Sequence, residues 1–300
     1  MAITAGQVKE LRGITGAGMM DCKKALEECD GNLDTAVDIL RTKGLADLAK
    51  KAGRATNEGL VSSWTSESGR VGALVEVNCE TDFVARNAEF QTFAAAVAEQ
   101  VAVDAPDGIR EGSAALLAQQ WKRNPTLTVE QALGELVGKL GENMGVSRFV
   151  RYEAVRNGVI GSYIHGLGRI GVMVEIAGAD SSRPEVLALA RDVAMHIAAA
   201  SPLCVSRETL PPATVEHEMS IYKAQAAESG KPEAMLEKIA NGKLEKLFYK
   251  QVCLLEQGFV KDPDKSVEQL VAETSKAIGS KVEIVSFDRF VLGEGVAASE

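Results

Sequence analysis

Histidine is scarce in this chain. Only His165, His196 and His217 occur in 300 residues, so chemistry built on imidazole has little to draw on. Basic charge is also short, 33 Lys and Arg against 42 Asp and Glu, for a net charge of −9 and a pI of about 5.1. That is the wrong sign for gripping a phosphate backbone over a broad surface. No apolar run approaches the ~18 residues that would span a bilayer. Cysteines number five (Cys22, Cys29, Cys79, Cys204, Cys253), scattered, without a CxxC and without a histidine at ligand spacing. Neither structural zinc nor a disulfide framework is expected, and the thiols read as reduced. The opening MAITAGQVKELR holds no apolar signal core and no Arg/Ser-rich leader, so a cytoplasmic location is expected. A GxxxxGK[ST] phosphate loop is missing too.

What is present is ordinary globular composition, 46% apolar and 25% charged, in a length that suits two or three modules. Residues 4–45 read as three short helices. Val8 and Leu11 lie on the first, and Cys22, Ala25, Leu26 and Cys29 on the second. Leu33, Ala36, Val37 and Leu40 fall at i, i+3, i+4 and i+7 on the third. The polar stretch Lys50-Lys51-Ala52-Gly53-Arg54 reads as a linker, giving a first module at 1–54.

The remainder contains a duplication. Gly59, Ser63, Gly69, Arg70, Gly72, Val75 and Glu76 recur at one constant spacing as Gly158, Ser162, Gly168, Arg169, Gly171, Val174 and Glu175. Each set sits in a segment that reads as a β-hairpin. A helix follows in both copies, carrying Phe90, Phe93, Ala94, Val97 and Val101 in the first and Val186, Leu189, Ala190, Val193 and Ile197 in the second. Each copy closes with a strand, matching Phe149, Arg151 and Tyr152 with Phe287, Arg289 and Phe290. Two ββα…αβ subdomains at 55–157 and 158–300 are expected. The overall class is therefore α+β, a small three-helix N-terminal domain followed by a duplicated core. The second copy carries an insertion at about 202–258. Val215, Met219, Tyr222 and Ala226 form a seam there, Gly230-Lys231-Pro232 breaks it, and Leu236, Ile239 and Leu247 lie on a returning helix. This reads as an antiparallel helical hairpin.

The copies also diverge between strand and helix. The strand-to-helix connection is three residues longer in the first, where Asn78-Cys79-Glu80-Thr81-Asp82-Phe83 stands against Ala177-Gly178-Ala179-Asp180-Ser181-Ser182. Such a difference marks a candidate functional loop. Thr81 and Asp82 suit a helix N-cap and first turn. Phe83 suits either a staple into the core or an exposed wedge. Met19 and Met20 cannot both face one small core, so one is a candidate contact.

Other motifs carry less. Gly166-Leu167-Gly168-Arg169-Ile170-Gly171 fits a loose GxGxxG, yet it sits inside a hairpin with no helix N-terminus for a pyrophosphate. His165 reads as a turn or contact residue, His196 as partly buried on its helix, and His217 as solvated. Glu76 and Glu175 hold equivalent strand positions, which suggests structure more than acid–base work. The extra stretch around 108–128 carries no assignable role.

VKELRGITGAGMMDCKKALEECDGNLDTAVDILRTKG resembles the ubiquitin-associated-like N-terminal domain of the bacterial elongation factor Ts family. NCETDFVARN is similar to that family's TDFVA signature, and SYIHGLGRIGVMVE to its second-half hairpin. The resemblance implies a guanine-nucleotide exchange factor for elongation factor Tu in translation elongation. Such a factor meets the GDP-bound and nucleotide-free partner, displaces Mg²⁺ and performs no chemistry of its own. Thr81, Asp82, Phe83 and Val84 would form the magnesium-dislocating loop. Arg12, Met19, Met20 and Lys23 would touch the GTPase domain, Leu140 and His165 its phosphate-binding side, and Val260 a patch made with the second core half. No catalytic residue, metal site or cofactor is implied, and neither nucleic acid nor membrane as a partner. Lys261 stands where the family pattern is apolar, and the chain past Gly293-Glu294-Gly295 is too short for the further helix of some members. A non-catalytic protein–protein adaptor is the alternative.

Overall fold

A computed structural model describes residues 3–104, 114–155 and 157–294. The last of the expected family differences, at the C-terminus, lies outside them. The chain begins with α1 (Ala5–Thr15), α2 (Met19–Glu28) and α3 (Leu33–Lys51). Thr4 and Gln7 cap α1 reciprocally, and Gly16 ends it in the left-handed conformation. Val8, Leu11, Cys22, Ala25, Leu26 and Ala36 bury one another at the centre of the triad.

Strands β1 (Glu58–Thr65) and β2 (Val71–Cys79) form the first hairpin. A single helical turn, α4 (Asp82–Ala85), then leads to α5 (Ala88–Asp104), α6 (Ala114–Leu117) and α7 (Val129–Leu140). Strand β3 (Met144–Glu153) returns to pair with β2, giving the order β1-β2-β3, all antiparallel. The second half repeats the plan with β4 (Gly158–His165), β5 (Ile170–Ala177) and α8 (Pro184–Ala200). After it come α9 (Pro212–Glu228), α10 (Glu233–Lys243), α11 (Tyr249–Val252) and a short ribbon of β6 (Gly258–Phe259) and β7 (Asp262–Ser266). Helix α12 (Val267–Ile278) and strand β8 (Glu283–Val291) complete the order β4-β5-β8. The class is α+β.

The apolar periodicities settle on buried faces. Phe90, Phe93, Ala94, Val97 and Val101 of α5 all lie in the first core, and Val186, Leu189, Ala190, Val193 and Ile197 of α8 in the second. Part of the unassigned stretch serves that first core. Trp121 and Leu127 are buried in it, and the buried Gln100 amide is satisfied by the Gln120 carbonyl at 2.8 Å and the Lys122 N–H at 2.9 Å. Residues 105–113 lie outside the described ones.

The sheets meet along a seam of Val61, Leu74, Val150, Tyr152, Ile160, Met173 and Phe290. The Val61 N–H donates to the Gly168 carbonyl, and its counterpart Ile160 to the Gly69 carbonyl, each at 2.7 Å. Glycine is required by proximity. A Cβ on Gly72 would stand 2.8 Å from Ile160 Cγ2, and one on Gly171 2.4 Å from Val61 Cγ1. The glycines of the 166–171 motif thus serve the hairpin turn and this close packing. Buried Glu76 accepts from Arg148 Nε at 2.7 Å, Asn78 Nδ2 at 3.0 Å and the Gly293 N–H at 2.8 Å. Glu175 accepts the Val155 N–H at 2.8 Å. Both are structural acceptors.

Three expectations need correction. Lys50 and Lys51 belong to α3 instead of a linker. Past the triad, α3 finds a second apolar neighbour in α7. Gly44 backs onto Gly134 so closely that an added Cβ would meet the Gly134 carbonyl oxygen at 2.9 Å, and Leu48 packs on the first core. His196 is fully buried, not partly. Leu247 faces outward while Leu244 and Phe248 are buried, because residues Leu244–Phe248 form a π-helical turn that slips the phase of the returning helix. At the root of the hairpin, Arg207 bonds Glu245 at 2.9 Å and Glu256 at 2.5 Å and stacks on Tyr249.

Candidate functional site

The longer connection of the first half forms α4, capped by Thr81. Its hydroxyl accepts from the Val84 N–H at 3.5 Å and its carbonyl from the Ala85 N–H at 3.2 Å. So short a helix has almost no cohesion of its own. It is held from outside. One carboxylate, Glu142, accepts both the Thr81 N–H at 3.0 Å and the Thr81 hydroxyl at 2.6 Å. Next to Thr81, Glu80 accepts the Asn143 N–H at 2.6 Å and Arg54 Nη1 at 3.2 Å. The Asn143 amide donates in turn to the Arg54 carbonyl at 2.8 Å. The Asn143 N–H foremost, with Arg54 assisting, holds the Glu80 carboxyl below its usual range. Buried Cys79 donates to the Thr81 carbonyl at 3.2 Å. Burial first, and the Glu142 charge second, push its thiol up to about 12, so it stays protonated.

On this base the loop holds Phe83 outward. Phe83 is 81% exposed, so it does not act as a staple into the core. Val84 turns inward onto the first core, and Asp82 pairs with Arg86 at 3.0 Å. Leu140 is half-buried at the end of α7, followed by Gly141 in the left-handed conformation and then by Glu142.

Arg12, Met19, Met20 and Lys23 come together. They line one open groove across α1 and α2 with Ile3, Ala5, Val8 and Lys9. Met19 and Met20 are 60% and 62% exposed, so both face outward. No residue of the 81–84 loop lines that groove. His165 is exposed at the end of β4, its Nδ1 3.2 Å from the Tyr163 hydroxyl. Val260 projects from the β6–β7 turn, where its N–H donates to His196 Nδ1 at 3.1 Å. That bond places the imidazole proton on Nε2, facing Gln257 Oε1 at 2.9 Å. Burial, partly offset by Gln257, lowers the His196 pKa. Lys261 reaches back to Asp192 of α8 at 2.7 Å, so its charge is paired.

Among the described residues no group of His, Cys, Asp and Glu has the arrangement to hold a metal ion, and no helix is long and apolar enough to cross a membrane. Cys204 and Cys253 lie with their sulfurs 3.7 Å apart as free thiols, both raised in pKa by burial. Sequence reasoning passed over Glu142, Asn143 and Arg54 because their roles exist only once residues distant in sequence meet. The Gly141-Glu142-Asn143 turn, matching Gly279-Ser280-Lys281 in the second copy, was the available signal.

Fold and site together define a mixed helix–sheet factor that offers a projecting acid–aromatic loop. A family model described as Elongation factor TS matches residues 80–294. Elongation factor Ts of Clostridium perfringens (strain SM101 / Type A) is 50% identical over 99% of this chain and 95% of its own. That of Trichlorobacter lovleyi is 48% identical over 100% and 96%, and that of Clostridium botulinum (strain Eklund 17B / Type B) 48% over 99% and 95%. The chain belongs to the elongation factor Ts family, a family of translation elongation factors.

Proposed function

We propose that the protein is a cytoplasmic guanine-nucleotide exchange factor that binds elongation factor Tu in its GDP form, displaces Mg²⁺ and releases GDP. The single observation that carries the reading beyond family membership is an exposed Phe83 on a loop pinned from both sides. A large aromatic in water is costly unless a partner covers it, and a rigid loop spends little entropy when it docks. Thr81, Asp82, Phe83 and Val84 act at the magnesium site. Phe83 wedges the partner open, and Asp82 leaves Arg86 to disturb the oxygens around the ion. Arg12, Met19, Met20 and Lys23 grip the GTPase domain through the α1–α2 groove, whose flexible methionines suit an adaptable contact. Leu140 and His165 meet its phosphate side, and Val260 adds a patch from the second half. In this reading residues 1–54 are the docking module, 55–157 the working half, and 158–300 the supporting half with its hairpin at 202–258. The factor needs no cofactor and no nucleic acid or membrane partner.

Mg²⁺ is the largest local charge holding a nucleotide diphosphate, so its loss weakens the whole site. Each tenfold rise in nucleotide Kd needs only ~1.4 kcal/mol, within reach of one buried aromatic anchor. Linkage makes the effect mutual. Nucleotide then weakens the factor as much as factor weakens nucleotide, and abundant nucleotide ejects it for another round. Release of a fluorescent GDP analogue from elongation factor Tu, at substoichiometric protein and excess GDP, tests the proposal. Multiple-turnover acceleration is expected. A stable complex with no acceleration would instead make the protein an adaptor.

A further inference from the structure

We infer that Glu142 is a positioning residue for exchange, acting on the partner only through Thr81. The inference rests on the exchange reading above. Three observations lead to it. First, Glu142 makes two bonds to a single residue, to the backbone N–H at 3.0 Å and the hydroxyl at 2.6 Å of Thr81. Hydrogen bonds to an ionised acceptor are about twice as strong as neutral ones, and two from one carboxylate fix orientation as well as distance. Second, Thr81 is the N-cap of the turn bearing Asp82 and Phe83, so rotation at Thr81 swings both. The Asn143 N–H adds a bond running the opposite way, from the turn between α7 and β3 to Glu80 of the loop.

Third, the duplication provides an internal control. Gly141 and Gly279 end α7 and α12 in the same left-handed conformation. The next residue reaches across to the strand-to-helix connection of its own half in both copies. In the second half this is Ser280, whose hydroxyl donates to the Gly178 carbonyl at 3.0 Å. There the connection carries no helical turn and no projecting aromatic. A hydroxyl is sufficient to anchor a plain connection. The half with the exposed Phe83 has a carboxylate long enough to grip Thr81 twice. A wedge that must enter beside a metal ion loses effect with small misplacements, which is the reason for such a grip.

The test uses the full-length protein as wild type, Glu142→Ala, Glu142→Gln and Thr81→Val. Release of the fluorescent GDP analogue is followed over a range of factor concentrations, and amide hydrogen exchange of the Thr81 segment is followed in the free factor. Glu142→Ala is expected to lower the maximal release rate at least tenfold while the half-saturating concentration stays within about threefold. Its Thr81 amide should exchange at least tenfold faster. Glu142→Gln keeps one acceptor oxygen and should recover most of the rate. In the Thr81→Val background, which keeps the backbone N–H bond and lacks the hydroxyl bond, Glu142→Ala should cost less than it does in the wild type. An unaltered maximal rate in Glu142→Ala, or a loss confined to the half-saturating concentration, would overturn the assignment. Unaltered Thr81 exchange would overturn the clamp without any partner being present. Failure of the wild type to accelerate release would instead bring down the exchange reading itself.

Discussion

The hydroxyl oxygens of Ser63 and Ser162 stand 3.5 Å apart, each residue the other's counterpart in the repeat. A residue meets its own copy only on a rotation axis, and the paired Val61–Gly168 and Ile160–Gly69 bonds obey the same axis. The two hairpins are thus packed as a dimer is packed, within one chain. Whatever keeps this seam tight holds both halves.

Gly171→Ala should therefore destabilise the protein by ~1–3 kcal/mol, since the new methyl would enter the seam against Val61 and Leu74. Gly53→Ala, with nothing within 4 Å of an added Cβ, should stay within about 0.5 kcal/mol of wild type. Urea unfolding of both variants decides the matter. Equal midpoints would mean that the seam yields.

Phe83→Ala should cut the rate of nucleotide release more than it cuts complex formation. Because the ring is exposed in the free factor, the unfolding midpoint should not fall. Stopped-flow release and a binding isotherm on the same preparation separate the two. Unchanged release would remove the wedge role.

Glu76→Ala should cost about 3–5 kcal/mol. Removing one partner of a buried pair leaves Arg148 uncompensated, together with the Gly293 N–H and the Asn78 amide. Chemical denaturation measures it, and a loss below about 1 kcal/mol would contradict the assigned role.

Acid should weaken the region around His196. Burial lowers its pKa below the ordinary 6.5, so the unfolded chain takes up a proton at a pH where the folded chain does not. The stability it contributes is complete above 6.5 and declines as pH falls from there toward the lowered value. His196→Gln should be less sensitive across that window than wild type, judged by urea midpoints at about pH 7.5 and about pH 5.5. Parallel losses in the two proteins would exclude His196 as the source.

Much of the fold could be read in advance because the copies annotate one another. Gly72 and Gly171, or Phe149 and Phe287, are informative as pairs where each alone would be ambiguous. The spacing of apolar residues on α5 and α8 marked the faces that bury. The exposed Phe83 emerged from the strand-to-helix connection, which is longer in the first copy. The reading failed where tertiary contacts decided the outcome. Helix α3 continued because α7 gave it a second partner, and the π turn moved Leu247 outward. Glu142 and Arg54 gain their importance from hydrogen bonds to residues 61 and 89 positions away, which no local pattern records.

The helical hairpin interrupts the second sheet between β5 and β8, whereas the first sheet closes without it. In the ladders, Val71 pairs with Glu153 in one half and Ile170 with Val291 in the other. The second loop is less than twice as long as the first, and even a full doubling adds only about 0.6 kcal/mol of closure entropy. During folding, an arm of three helices therefore adds almost nothing to the cost of bringing the last strand home.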